Sequence, residues 1–184
     1  MSISMEKIET MKKLRIEYDD LSKNPIANIG LSVGLPDEDN IFEWRCTFFG
    51  PKDTPYKDGY FLLKVLFPEN YPTGKPEVCF ITPIYHVNVN PIKSEQALGH
   101  VCISTLNWWE PKYSMREVLN NIYALFYRGN PDSPYGIDRA QELRDYKDLY
   151  DEKVRYFTKK YADKNRNTND DLNYKDKWDF TYQK

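Results

Sequence analysis

Cys102 lies in the run Gly99-His100-Val101-Cys102-Ile103-Ser104-Thr105-Leu106, with His86-Val87-Asn88 upstream and Trp108-Trp109-Glu110-Pro111 downstream. An apolar approach to a thiol, an amide side chain before it and a Trp-Pro wall after it suit a sulfur that carries an acyl group. Sulfur is a capable nucleophile even when only a few per cent of it is thiolate near pH 7. A thioester also keeps its acyl reactivity without a metal or organic cofactor. The rival for the same residue is a cysteine hydrolase, which needs a histidine base within hydrogen-bond reach and a third group to orient it. Only His86 and His100 are available. His100, two residues before Cys102, leans the same way in an extended approach, but no orienting partner is evident.

The elements that must position this thiol follow from periodicity. Ile8, Met11, Leu14, Tyr18 and Leu21 recur at gaps of three or four, which predicts an apolar stripe on a first helix stopped by Asn24-Pro25. Lys12, Lys13, Arg15 and Glu17 fall on the opposite face, either solvated or a docking surface for a protein partner. Segments rich in β-branched and aromatic residues at about 29–34, 41–49, 60–67 and 78–81 predict a four-stranded antiparallel meander. Cys46 and Cys79 sit inside such segments and read as buried small hydrophobes. From Pro83 to Pro111 the periodicity fails. A stretch of that length without a long element of its own is uncommon unless functional.

Regularity returns with Ser114-Met115-Arg116-Glu117, a capping-box pattern followed by Val118, Leu119, Ile122, Leu125 and Phe126 at helical spacing. This predicts the core helix against the sheet. After the turn Gly129-Asn130-Pro131-Asp132-Ser133-Pro134, a second capping pattern at Asp138 and Gln141 predicts a shorter helix, and Leu149, Val154, Phe157 and Tyr161 a last one. Strands followed by helices indicate an α+β fold. Residues 1–163 form one expected domain. Residues 164–184 are a polar tail whose Tyr174, Trp178, Phe180 and Tyr182 leave two readings, frayed or docked.

Bulk properties exclude several classes. The 184 residues are 40% hydrophobic and 15% aromatic, enough to bury roughly two thirds of the unfolded surface in one core. A net charge of -2, with both signs interspersed, gives no basic field for nucleic acid. No apolar run approaches the ~18 residues of a membrane span, and no lipidation signal is present. Three cysteines without paired spacing, and no secretory segment before them, favour a reducing compartment, cytoplasmic or nuclear.

Taken in order, a set of landmarks over residues 5–163 resembles the ubiquitin-conjugating enzymes: Phe49-Gly50-Pro51 with Thr54-Pro55-Tyr56, Gly59-Tyr60-Phe61, Phe67-Pro68 with Tyr71-Pro72, Lys75-Pro76, Tyr85-His86-Val87-Asn88, Val101-Cys102-Ile103, Trp109-Glu110-Pro111 and Asn130-Pro131-Asp132-Ser133-Pro134. The resemblance implies that family's fold. It also implies a cysteine, here Cys102, that takes ubiquitin as a thioester from an activating enzyme and passes it to a protein substrate's lysine, usually with a ligase. No cofactor or metal is implied, since ATP is used by the activating enzyme. The expected state is a monomer. A ubiquitin-like modifier such as NEDD8, and a non-catalytic ubiquitin-binding variant of the fold, are the alternatives.

The resemblance also implies roles. Asn88 matches an asparagine whose amide donates to an oxyanion at the thioester carbonyl or holds the active-site loop. Ser133 matches the place where the family often has a carboxylate, with Asp132 as the nearby acid that helps an attacking lysine; the plainer reading of both is a Pro-bounded turn. Tyr85, His86, Trp109 and Pro111 match supporting positions, His86 holding its loop through hydrogen bonds. Lys12, Lys13 and Arg15 of the first helix, Tyr71, Pro72 and Thr73, and Pro111 and Lys112 match surfaces that meet activating enzymes and ligases. Departures are visible as well. Val87 stands where the family usually has proline, so packing must replace a fixed φ. Thr73 replaces a frequent aromatic. The sixteen positions from His86 to Cys102 include an apparent insertion, Pro91 to Gln96, beside the thiol.

Overall fold

A computed structural model describes residues 4–26, 29–92, 98–164 and 178–182. Helix α1 (Met5–Lys23) leads into strands β1 (Leu31–Gly34), β2 (Glu43–Phe49), β3 (Tyr60–Leu66) and β4 (Glu77–Phe80). Helices α2 (Ser104–Asn107), α3 (Met115–Leu125), α4 (Ile137–Asp145) and α5 (Lys147–Tyr161) follow. The strands form one antiparallel sheet in chain order, the expected meander. The α+β architecture is as the sequence predicts, with the one-turn α2 as an addition.

Alternation explains the sheet's inner face. Trp44, Cys46 and Phe48 of β2 pair in register with Val65, Leu63 and Phe61 of β3, and Leu63 and Val65 continue to Phe80 and Val78 of β4. All of these are buried. Helix α3 covers this face. Its Ser114 cap is a true capping box, with Glu117 bonded back to the Ser114 N–H. Phe126, at its C-terminal end, meets Phe48, Tyr56, Phe61 and Phe80 within 5.1–6.3 Å. Cys46 and Cys79 are both buried, and burial pushes the Cys46 thiol up to about 12, so it stays protonated and inert.

Helix α1 departs from its expected stripe. Met11 is exposed, whereas Thr10 is buried and donates to the Tyr71 carbonyl at 2.7 Å. Nor does Glu17 lie on a solvated face: its carboxylate accepts from the Tyr71 hydroxyl at 2.9 Å and from the Met115 N–H at the start of α3 at 2.7 Å. Lys13 joins the same cluster through an ion pair with Glu17 at 3.1 Å. Lys12 and Arg15 remain exposed. At α4 the expected cap at Asp138 does not form. The helix starts after Gly136, without a side-chain cap, and Asp138 lies in its first turn.

The tail's described aromatics are docked rather than frayed. Trp178 is buried, and Phe180 and Tyr182 pack against the core. The Phe180 ring lies 5.0 Å from Phe157 of α5. The Arg139 guanidinium is held between Phe180 and Tyr85, 4.6 and 4.3 Å from the ring centroids. Tyr174 lies outside the described residues.

Candidate active site

Two short stretches of backbone carry the thiol. Val89 bridges Val101, the Cys102 N–H donates to the Asn88 carbonyl at 2.8 Å, and the Gly99 N–H donates to Asn90 at 2.9 Å. Residues 88–90 and 99–102 therefore form a small antiparallel ladder, closed by chain that leaves at Asn90 and returns at Gly99. Gly99 has φ 79°, and a Cβ there would sit 2.3 Å from the Phe80 carbonyl oxygen, so only glycine fits. The apparent insertion follows Asn90 in the chain. Residues 93–97, which include most of it, lie outside the described residues.

Behind the ladder the side chains of His86 and Asn88 and the Val87 N–H are partnered. His86 is 2% exposed. Its Nδ1 accepts from the Asn88 N–H at 2.9 Å, which leaves Nε2 to carry the hydrogen and donate to the Leu125 carbonyl at 3.1 Å. Burial lowers its pKa to about 4, so the ring is neutral at physiological pH. Arg139 donates to the His86 carbonyl at 3.2 Å. Val87 supplies what a proline could not, an N–H that donates to the Tyr150 hydroxyl at 3.0 Å. The Tyr85 hydroxyl donates to Glu142 of α4 at 2.8 Å, and burial raises its pKa.

Asn88 is fully buried. Its Oδ1 accepts from the Asn130 N–H at 2.7 Å, while Nδ2 donates to the Asn130 and Ser133 carbonyls, each at 2.8 Å. Both amide hydrogens are thus committed to the turn that carries Ser133. In this arrangement neither amide hydrogen of Asn88 is left over for a further acceptor.

In front of the thiol lies a groove of about 400 Å³ lined by Cys102, Ser104, Asn107, Trp108, Asn130 and Ser133 among others. Cys102 is the one cysteine of the three that is not buried. The Ser133 hydroxyl stands 3.1 Å from its sulfur. Asp132, one residue earlier, turns away and pairs with Arg144 of α4. His100 is not among the groove's residues. It bridges to Cys79 of β4, and half-burial lowers its pKa, with the charges of Glu77, Lys75 and Lys64 near it. Two residues along a strand are about 6.6 Å apart, so a shared lean does not bring a ring to a thiol. With His86 occupied on both nitrogens and His100 turned to the sheet, the hydrolase arrangement is not assembled.

Sequence reasoning missed one residue. Asn107, at the end of α2, donates from Nδ2 to the Cys102 sulfur at 3.2 Å. An asparagine five positions after a cysteine is an ordinary pattern, and only the single turn of α2 folds it back.

The residues matched to partner surfaces gather at one end. The Trp109 indole donates to the Pro72 carbonyl at 2.8 Å and its ring lies 5.8 Å from Tyr71, which Glu17 in turn holds to α1. Thr73, Pro111 and Lys112 are exposed beside them, Lys112 pairing with Glu110 at 2.9 Å.

Comparison with known proteins agrees with this geometry. A family model described as ubiquitin-conjugating enzyme matches residues 13–158. The protein named ubiquitin-conjugating enzyme E2 13 of Arabidopsis thaliana is 36% identical over 155 residues, covering 77% of this chain and 89% of that protein. A match of that length encloses the sheet, the thiol and both loops behind it, and the chain belongs to the ubiquitin-conjugating enzyme family.

Proposed function

We propose that Cys102 accepts ubiquitin from an activating enzyme and passes it to the lysine of a protein substrate, usually with a ligase. The observation that carries this reading is a half-buried thiol lining an open groove, held from behind by a hydrogen-bonded loop and without a histidine base in reach. Such a thiol needs only to exchange acyl groups. In charging, the Cys102 thiol gives its proton to solvent and its sulfur attacks the activating enzyme's thioester carbonyl; a new C–S bond forms, the old C–S bond breaks, and the activating enzyme's thiolate leaves. In discharge a neutral lysine nitrogen attacks the same carbonyl, the C–N bond forms, the C–S bond breaks, and the nitrogen's proton passes to solvent or to an acceptor in the groove.

A free lysine has a pKa near ~10.4, so well under 1% is neutral at pH 7. Ser133, 3.1 Å from the sulfur, offers a hydroxyl for orienting that amine, whereas Asp132 is drawn off by Arg144. Activating enzyme and ligases dock on this reading at the end where α1 meets residues 71–73 and 110–112; Thr73 leaves that surface without a large apolar anchor of the kind that often dominates an interface. A sulfur that must stay reduced fits the cytoplasm or nucleus.

The test is a mixture of this protein with an activating enzyme, ATP and ubiquitin. A reductant-sensitive adduct is expected with the native chain and none with Cys102→Ala. The same mixture run with each ubiquitin-like modifier and its own activating enzyme decides the modifier. No adduct with any of them would reject the acyl-carrier reading and leave the binding-scaffold alternative.

A further inference from the structure

We propose that Asn107 is a catalytic residue: its amide stabilises the Cys102 thiolate as the sulfur is exchanged. The proposal deepens the acyl-carrier reading and rests on it. Three observations converge. First, the Asn107 Nδ2 lies 3.2 Å from the Cys102 sulfur. An amide nitrogen only donates, so it can use the sulfur solely as an acceptor. Second, the donors of the ladder behind the sulfur are committed. The Cys102 N–H goes to the Asn88 carbonyl, and both Asn88 amide hydrogens go to the 130–133 turn. Ser133 is the remaining neighbour at 3.1 Å, and its hydroxyl can accept from a thiol as readily as it donates to a thiolate.

Third, Asn107 is exposed yet not loosely placed. Its own N–H donates to the Ile103 carbonyl at 2.9 Å, and the buried Leu106 and Ile103 anchor the turn on either side. The backbone that presents the amide to the groove is therefore in place before the substrate arrives.

The chemistry follows from the charge on sulfur. In the thiol or thioester the sulfur is neutral and a weak acceptor. In the thiolate it carries a full negative charge, and a charge-assisted hydrogen bond is about twice as strong as a neutral one. The Asn107 bond thus strengthens as the C–S bond to the acyl group breaks and the electron pair returns to sulfur. Support that grows toward the transition state speeds the step instead of merely tightening the ground state. Among the described residues the second Asn107 N–H makes no hydrogen bond, which leaves it available to the carbonyl oxygen of an acyl group on the same sulfur.

Two measurements on Asn107→Ala and Asn107→Asp test this. One is single-turnover discharge of the Cys102 thioester to free lysine. The other is alkylation of the uncharged thiol by iodoacetamide at pH 7, which needs no modifier. Loss of one hydrogen bond to a charged group corresponds to roughly a ten- to hundredfold change, so discharge is expected to slow by that order. Alkylation is expected to slow severalfold, with the urea unfolding midpoint unchanged for an exposed side chain. Asn107→Asp, which lacks the donor and adds a negative charge, is expected to fall at least as far as Asn107→Ala in both assays. Unchanged discharge overturns the proposal, as does a loss that simply follows a lowered unfolding midpoint. If the native protein takes no modifier at all, the acyl-carrier reading fails, and the alkylation series alone decides whether Asn107 supports the sulfur.

Discussion

The two sides of Cys102 are built on opposite principles. Behind it, His86, Val87 and Asn88 are at most 2% exposed, and their hydrogen bonds run to α3, α5 and the 130–133 turn. In front of it, Asn107 is exposed and Trp108 is 79% exposed, and among the described residues two side chains, Ser133 and Asn107, hydrogen-bond to the sulfur. Placement of the thiol is over-determined, and its chemistry uses few groups. The difference teaches where a substitution acts: on the buried side it alters folding free energy, because unpartnered groups are left in a low dielectric. On the open side it alters rate, because water replaces a lost contact.

The comparison extends to the tail, which belongs to the buried side. Trp178 packs next to Gly99 at the far end of the ladder, and Phe180 clamps Arg139 over Tyr85 and thereby against His86. Trp178→Ala is therefore expected to cost about 3–5 kcal/mol of stability, read from urea unfolding. A change below about 1 kcal/mol would remove the tail from that wall.

A smaller effect is expected from pH. The folded protein binds a proton at His86 only near pH 4, whereas an unfolded histidine binds one near pH 6.5. Between those values the unfolded chain holds more protons, so stability rises with pH. The contribution is complete above pH 6.5 and is lost as pH falls toward 4, amounting to about 3 kcal/mol. His86→Gln should lack that part of the slope, and equal slopes for the two proteins between pH 6.5 and 4.5 would refute the assignment.

Asn88→Ala draws the sharpest line between the two sides. It strands the Asn130 N–H and two carbonyls, and the expected cost is about 2 kcal/mol. Were stability instead unchanged while discharge to lysine slowed roughly a hundredfold, Asn88 would act as an oxyanion donor, and the division between the two sides would fail.

Much of this was legible in residue types. Runs of β-branched and aromatic residues between turn-forming clusters marked β2 and β3, because such side chains suit a pleated, partly buried surface. The Ser114–Glu117 box marked α3 for a local reason, since both of its hydrogen bonds lie within one turn. Errors arose where partners are distant in sequence. Glu17 looks solvated until Tyr71 and Met115, 54 and 98 residues away, supply its donors. Thr10 replaces Met11 in the buried stripe because a threonine that bonds to the Tyr71 carbonyl loses nothing by burial. The Asp138 pattern fits a cap, but the chain enters the helix at Gly136 instead.

The sequence by itself determined the fold class, the core elements and the family, because local periodicity and an ordered series of motifs carry that information. Only the tertiary structure decided what serves the thiol. It committed Asn88 to the loop, turned Asp132 to Arg144 and His100 to β4, and brought Ser133 and Asn107 to the sulfur. The physical reason is that a hydrogen bond has a reach of about 3 Å. Which of several suitable side chains falls within that reach depends on the path of the backbone between them, and spacing along the chain does not specify it.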